Sequence, residues 1–127
     1  MRVRELKPRD VVTVAKGETL RAAAKLLTGD EIGALLVVGA TAMEGIFSER
    51  DLTRAVADGV DLDDREVGEY LTPAPVTVQA DGYLGEVIAD MNEFGIRHVV
   101  VMEGAEPLGM VSMRDVLGLL GTRWPEI

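Results

Sequence analysis

The sequence predicts an α/β (α+β) fold built from two β-α-β-β-α repeats that pack about a pseudo-twofold axis. The first observation is an internal repeat, because residues 64 positions apart match without a gap, as Val12-Thr13-Val14 and Val76-Thr77-Val78 do. The second is that short aliphatic runs alternate with segments of helical periodicity in each copy. Two copies are too few for a solenoid, so a pair of packed halves is expected.

Local patterns predict the elements of the first copy. Thr19 is a good N-cap, and apolar residues then recur at helical spacing until Gly29. Aliphatic runs without alternation are typical of strands covered on both faces. The predicted elements are a strand at Val11–Val14, a helix from Thr19 to Gly29, strands at Leu35–Val38 and Met43–Phe47, and a helix from Ser48 toward Ala57.

The segment after the first copy is polar, rich in Asp and contains Thr72-Pro73-Ala74-Pro75, so it is predicted to be a linker with a helical turn at Val67–Leu71. The pattern then returns with a strand at Val76–Val78, a helix at Tyr83–Phe94, strands at His98–Met102 and Leu108–Val111, and a helix at Met113–Leu120. We expect a first domain at residues 1–59, a linker at 60–75, a second domain at 76–121 and a tail at 122–127. The tail holds Trp124, which is expected to pack on its own domain or on a dimer mate.

Composition excludes several classes of protein. The chain has 127 residues, of which 47% are hydrophobic, and it has no cysteine, which removes disulfides and thiolate chemistry. With 13 Lys and Arg against 22 Asp and Glu, the net charge of -9 opposes binding to nucleic acid. No apolar run approaches the length of about 20 residues that spans a bilayer. We therefore expect a cytoplasmic protein with neither a nucleic acid nor a membrane as partner.

The residue inventory also opposes catalysis. The chain has one histidine and no glycine-rich phosphate loop followed by Lys and Ser or Thr. It has no cluster of His and carboxylates at metal-ligand spacing. We expect a protein that is not an enzyme and that needs no metal and no obligatory cofactor.

Two matching stretches carry the polar chemistry. In both 45–52 and 109–116, a strand ends at a serine, and an arginine and an aspartate follow where a helix begins. Ser48, Arg50 and Asp51 of the first stretch match Ser112, Arg114 and Asp115 of the second. A helix N-terminus suits an anion or a ribose hydroxyl, whereas a capping box explains the serine and the aspartate but not the arginine. Since a duplication also copies idle residues, both interpretations stay open.

A second candidate is the pair Arg97 and His98, which is the densest positive pair in this acidic chain. The equivalent residues of the first copy are Gly33 and Ala34, which are small and uncharged. If there are two pockets, only the one that receives Arg97 and His98 can neutralise a phosphate group well.

These motifs resemble those of a tandem pair of cystathionine-β-synthase-type (CBS) domains, called a Bateman module. The matching motifs lie in the stretches 31–38, 45–52, 95–101 and 109–116, together with the Thr-Val strand before each first helix, and the resemblance runs from Val3 to Leu120. It implies two halves packed sheet to sheet, with two clefts between them. Val100 stands where many second halves have a proline.

The resemblance also implies an adenosine-containing ligand, such as AMP, ADP, ATP or S-adenosylmethionine. It implies that Asp51 or Asp115 bonds the ribose, that Ser48 or Ser112 lies by the phosphate, and that the strands at Thr13 and Thr77 lie against the adenine. Arg97 and His98 would contact the phosphate from the opposite half. We expect the cleft with Ser48, Arg50, Asp51, Arg97 and His98 to bind a phosphorylated ligand. The cleft with Ser112, Arg114 and Asp115 is expected to bind adenosine weakly or to stand empty.

The expected function is a regulatory ligand-sensing module. The ligand would shift the arrangement of the two halves, and an effector protein or a dimer mate would respond to the change. The resemblance implies a homodimer formed through helices. The alternative is a constitutive dimerisation or scaffold module that binds no ligand.

Overall fold

The computed structural model describes residues 1–30, 32–40 and 42–122 of the chain. Trp124 and the rest of the predicted tail beyond residue 122 lie outside the described residues. The contacts group the chain into two compact units. The first unit is Val12–Pro75, and the second unit combines Met1–Val11 with the described residues from Val76 to Thr122.

The first unit contains a four-stranded sheet with order β1-β2-β3-β4, in which only β1 and β2 are parallel. Its elements are β1 (Thr13–Ala15), α1 (Leu20–Gly29), β2 (Ala34–Val38), β3 (Met43–Ser48), α2 (Glu49–Ala57), a 3-10 helix (Val67–Glu69) and β4 (Thr72–Pro73). The predicted N-cap is confirmed, because the side chain of Thr19 accepts a hydrogen bond from the backbone N–H of Ala22 at 3.1 Å.

The second unit repeats this plan with a three-stranded sheet of order β5-β6-β7. Its elements are a 3-10 helix (Val3–Leu6), β5 (Thr77–Gln79), α3 (Leu84–Phe94), β6 (His98–Glu103), β7 (Glu106–Ser112) and α4 (Met113–Thr122). The register is conserved between the units, since Thr13 pairs with Leu36 and Thr77 pairs with Val100. The predicted mixed fold of two β-α-β-β-α repeats is therefore confirmed.

Each unit has its own apolar core, built mainly from residues of its sheet and its helices. The first core consists of Val14, Leu20, Ala23, Leu27, Leu35, Val37, Phe47, Ala55 and Val67. The second consists of Val3, Val78, Ala80, Val87, Met91, Val99, Val101, Val111 and Val116. Burying this aliphatic surface is the main force that stabilises each unit.

Each sheet is extended at one edge by a segment that flanks the repeat. Thr72 in β4 pairs with Ile46, so the end of the segment predicted as a linker forms part of the first sheet. Arg9 pairs in the same way with Met110, through two backbone hydrogen bonds of 2.8 and 3.1 Å. The domain boundaries expected from the sequence stay a prediction. The contacts add that residues 66–75 pack on the first repeat and residues 1–11 on the second.

Two glycines make room for these edges. A Cβ atom on Gly45 would lie 2.3 Å from the carbonyl oxygen of Thr72, and one on Gly109 would lie 2.6 Å from that of Arg9. No side chain fits at such distances, so the repeated glycine has a structural cause. It permits the close approach of the edge segment to β3 or to β7.

Candidate ligand site

In the second unit, the predicted site residues meet at one end of the sheet. His98 begins β6 and pairs with Ser112, which ends β7. Thr77 begins β5, which runs parallel to β6. Met113, the first residue of α4, donates its backbone N–H to the carbonyl oxygen of Arg97 at 2.8 Å. Arg97 and His98 therefore adjoin the corner at Ser112 in their own unit.

The first unit has the same arrangement with different side chains. Ala34 begins β2 and pairs with Ser48, and Thr13 begins β1 beside it. The backbone N–H of Glu49 donates to the carbonyl oxygen of Gly33 at 3.0 Å. Gly33 and Ala34, which stand where the second unit has Arg97 and His98, provide no basic side chain at this corner. The expected contact of Arg97 and His98 with the ligand at Asp51 stays a prediction.

The corner of the first unit, at Ser48 and Asp51, is a capping box. The backbone N–H of Ser48 donates to Asp51 Oδ2 at 2.8 Å, and the N–H of Asp51 donates to Ser48 Oγ at 3.4 Å. The Ser48 hydroxyl also bonds Asp51 Oδ2 at 3.1 Å. The capping interpretation of this motif is therefore confirmed, and it accounts for one carboxylate oxygen of Asp51.

The other oxygen of Asp51 has two further partners that the sequence analysis missed. Oδ1 accepts hydrogen bonds from the guanidinium of Arg54 and, at 3.0 Å, from the hydroxyl of Thr72. Arg54 also donates to the carbonyl oxygen of Tyr70 at 3.2 Å. Asp51 is 2% exposed and is the one charged residue that is buried in the described part of the chain. A buried carboxylate is stable here because each oxygen is bonded to donors, one of which is cationic.

The corner of the second unit, at Ser112 and Asp115, has the same cap. The N–H of Ser112 donates to Asp115 Oδ2 at 2.9 Å, and the N–H of Asp115 donates to Ser112 Oγ at 3.1 Å. Its Oδ1 differs, because the cation next to it is Arg9, with Nε at 3.6 Å, beyond hydrogen-bonding distance. The position that matches Arg54 is Gly118. The side chain of Asp115 is 19% exposed, so its carboxylate remains accessible.

The second corner is also the more basic of the two. Arg97 and Arg114 are exposed and flank the start of α4, and Arg9 lies on the edge segment. The first corner has Arg50, which is exposed at the start of α2, and Arg54, which pairs with Asp51. Local positive charge in an acidic chain favours a small anionic ligand.

Neither a metal-ligand group nor a membrane-spanning helix occurs in the described residues. Among them, no group of three or more His, Cys, Asp or Glu side chains could hold a metal ion. In the same ranges, every helix is too short or too polar to cross a bilayer.

Two α/β repeats of equal register, each with a Ser-x-x-Asp corner at the end of its sheet, define the class of tandem CBS domain proteins. The chain belongs to the CBS domain family, whose model matches residues 3–58 and 67–122. The predicted resemblance is therefore confirmed over both repeats.

Solved structures agree with this assignment. A CBS-domain containing protein from Agrobacterium tumefaciens is 34% identical, with a TM-score of 0.86 over 92% of this chain and 91% of the other. A CBS domain protein from Pyrobaculum aerophilum, complexed with AMP, is 30% identical, with a TM-score of 0.84 over 96% and 99% of the two chains.

Curated relatives differ in length. Hypoxic response protein 1 of Mycobacterium tuberculosis is 29% identical over 115 residues, which is 89% of this chain and 80% of that protein. In contrast, the chain spans only 21% of the length of a CBS domain-containing protein from Arabidopsis thaliana that it matches with 26% identity.

Proposed function

We propose that this chain is a regulatory module that binds an adenosine-containing ligand and passes the change to a dimer mate or an effector protein. The observation that carries the proposal is the second corner, where an accessible carboxylate, a helix N-terminus and a basic pair meet at one sheet end in a chain of net charge -9. The AMP complex of the Pyrobaculum aerophilum protein, which has the same fold, supports adenosine as the ligand class.

Each part of the corner suits one part of such a ligand. A carboxylate oxygen accepts hydrogen bonds from two adjacent ribose hydroxyls. The Ser112 hydroxyl, the positive end of the α4 dipole and the guanidinium of Arg97 suit a phosphate. His98 lies beside Ser112 in the sheet, and Thr77 begins the strand that we expect beside the adenine. Arg114 lies beside Asp115 in this corner, and Thr13, Gly33, Ala34 and Arg50 are the candidate residues of the first corner.

Regulation follows if the ligand binds one conformation better than another. The equilibrium then shifts by the difference in binding free energy between the two conformations, and a bound partner responds. We place this function in the cytoplasm, because the chain has no cysteine and needs no oxidising compartment.

A second candidate function is constitutive dimerisation without ligand. Large apolar side chains are exposed on α3 and α4, namely Ile88, Phe94, Met113 and Leu117. A second copy of the chain would cover such a surface, and it would do so in the sensing module as well. Ligand binding therefore separates the two functions, whereas dimerisation does not.

The direct test is calorimetric titration of the chain with AMP, ATP and S-adenosylmethionine. At a ligand concentration of about 100 times Kd, a bound ligand also stabilises the fold by about 2.7 kcal/mol, which thermal unfolding detects. Native mass spectrometry of protein purified without added ligand reports any copurified nucleotide and the oligomer. Absence of heat and of thermal stabilisation with all three ligands would leave the dimerisation function.

A further inference from the structure

We infer that Arg54 and Thr72 keep nucleosides off the first corner, so that the chain takes one adenosine ligand, at Asp115. The inference rests on the proposed function and adds which corner is used and which residues decide it. The two corners share one feature. In both, Oδ2 of the aspartate accepts the backbone N–H of the cap serine. The two corners differ at Oδ1, the other oxygen of the carboxylate.

At Asp51, Oδ1 is already occupied. The guanidinium of Arg54 and the hydroxyl of Thr72 both donate to it, and the residue is 2% exposed. A ribose hydroxyl would have to replace a charge-assisted hydrogen bond by a neutral one, which is weaker. It would also separate a buried carboxylate from its cation, which is unfavourable. Asp51 therefore acts as a structural carboxylate that joins α2 to β4.

At Asp115, the two hydrogen bonds that Asp51 Oδ1 accepts have no counterpart, and Arg9 forms a longer ion pair with Oδ1 instead. Gly118 replaces the arginine, so no side chain reaches back along α4 from that position. Arg9 takes the place of Thr72, because it pairs with Met110 as Thr72 pairs with Ile46. Its Nε is 3.6 Å from Oδ1, and its side chain is 63% exposed. A ribose can reach Oδ1 here, and Arg9 adds positive charge beside a phosphorylated ligand.

This choice of corner differs from the preference based on sequence, which placed the phosphorylated ligand with Asp51. That preference compared Gly33 and Ala34 with Arg97 and His98, and the resemblance implied that this basic pair contacts the ligand at Asp51 from the opposite half. The contacts of the two carboxylates are unequal, and this inequality decides in favour of Asp115.

Reciprocal substitutions at the two corners test whether Arg54 and Thr72 keep a ligand off Asp51. Arg54→Ala with Thr72→Val removes both donors from Asp51, and Gly118→Arg places a guanidinium three residues after Asp115. The second change fits, because a Cβ on Gly118 meets nothing within 4 Å. In titrations with AMP, the wild type should bind one equivalent per chain and the double variant two. Gly118→Arg should weaken the wild-type site by at least about tenfold, the effect of losing one hydrogen bond to a charged group.

Variants of Asp51 and Asp115 show which corner binds each equivalent of AMP. Asp115→Asn should remove binding from the wild type, and Asp51→Asn should remove the equivalent gained by the double variant. The inference is overturned if Asp51→Asn removes wild-type binding while Asp115→Asn retains it. It is also overturned if the double variant still binds one equivalent.

Thermal unfolding without ligand tests the role of Arg54 and Thr72 at Asp51 separately from the proposed function. Because Asp51 is a buried carboxylate that accepts four hydrogen bonds, and the amide nitrogen of Asn cannot accept, Asp51→Asn should lower Tm by about 5 °C or more, against less than about 3 °C for Asp115→Asn. If no form of the chain binds AMP, ATP or S-adenosylmethionine, the proposed function fails, and these shifts still decide whether Asp51 is structural. Equal shifts would overturn the role given to Arg54 and Thr72.

Discussion

Val3 packs in the core of the second unit and Val67 packs in the core of the first, so each repeat is completed by the segment that precedes the other one in sequence. The backbone contacts are matched as well. The N–H of Val3 donates to the carbonyl oxygen of Gly82, and that of Val67 to the carbonyl oxygen of Glu18, both at 2.8 Å. The first residues of the chain are therefore a structural part of the second repeat.

This exchange of segments between the repeats predicts which unit is destabilised by a substitution at Val3. Val3 has no exposed surface, so Val3→Ala should lower the free energy of unfolding by about 2 kcal/mol. Urea denaturation measures the loss, and hydrogen exchange should show reduced protection in β5–β7 rather than in β1–β3. Val56→Ala is the matched control, because Val56 is exposed on α2 and its truncation should change stability little. Loss of protection in the first sheet alone would contradict the exchange.

The repeated glycines give a second prediction. Gly45→Ala should destabilise the chain by about 2 kcal/mol, because the new Cβ would lie 2.3 Å from the Thr72 carbonyl oxygen and would displace β4. Gly118→Ala is the control, since its Cβ meets nothing within 4 Å and α4 should gain up to about 1 kcal/mol of helix propensity. Thermal unfolding of both variants checks the pair. If Gly45→Ala were as stable as Gly118→Ala, the close approach of β4 would be wrong.

A pH dependence follows from the contact between Tyr70 and Asp58. The phenol of Tyr70 donates to Asp58 Oδ2 at 2.6 Å, and this hydrogen bond, with burial as a lesser cause, raises the pKa of Tyr70. The folded state therefore favours the neutral phenol. The resulting stabilisation is complete below the ordinary tyrosine pKa of about 10 and is lost as the pH rises through the higher pKa of the folded state.

Ultraviolet titration of the phenolate measures this shift. The sequence has two tyrosines, so Tyr83→Phe leaves Tyr70 as the only one that titrates. Its midpoint should lie above that of a free tyrosine amide and should fall when Asp58→Asn removes the carboxylate. A midpoint that Asp58→Asn leaves in place would show that the hydrogen bond is not the cause.

Much of the fold could be predicted because the patterns that define its helices and strands are local in the sequence. Hydrophobic periodicity and the cap at Thr19 place α1, and the internal repeat carries the same plan to the second unit. The pairing of Thr72 with Ile46 could not be predicted, because a two-residue strand has no periodicity and its pairing is non-local. The polar composition around it instead indicated a linker.

The site was predicted unevenly for the same reason. The repeat identifies the Ser-x-x-Asp corners, since serine and aspartate are three residues apart in both. Arg54 had a local signal that was missed, because a residue three positions after Asp51 on a helix lies on the same face. Thr72 and Arg9 had no local sequence signal, because they reach the corners only through strand pairing. Sequence therefore finds the corners, and tertiary contacts decide how they differ.

The phosphate role of Arg97 gives a prediction about ligand preference. Arg97→Ala should weaken binding of AMP more than binding of adenosine, by about 1.5 to 3 kcal/mol, because the lost hydrogen bond is charge-assisted. Calorimetry with both ligands measures the difference. Arg21→Ala is the control, since it removes the same charge from α1, where Arg21 pairs with Asp63. Equal losses for AMP and adenosine would contradict the phosphate contact.

The oligomer can be tested at the helix surface. Leu117 is 61% exposed on α4, one turn after the exposed Met113, and such a stripe is unfavourable in water unless a second copy covers it. Light scattering should give the mass of two chains for the wild type and of one chain for Leu117→Glu, because the new carboxylate would be buried without a partner. Leu108→Glu is the control, since Leu108 is exposed on β7 and not on a helix. If Leu108→Glu dissociated the dimer and Leu117→Glu did not, the interface would lie at the sheet edge and not at α4.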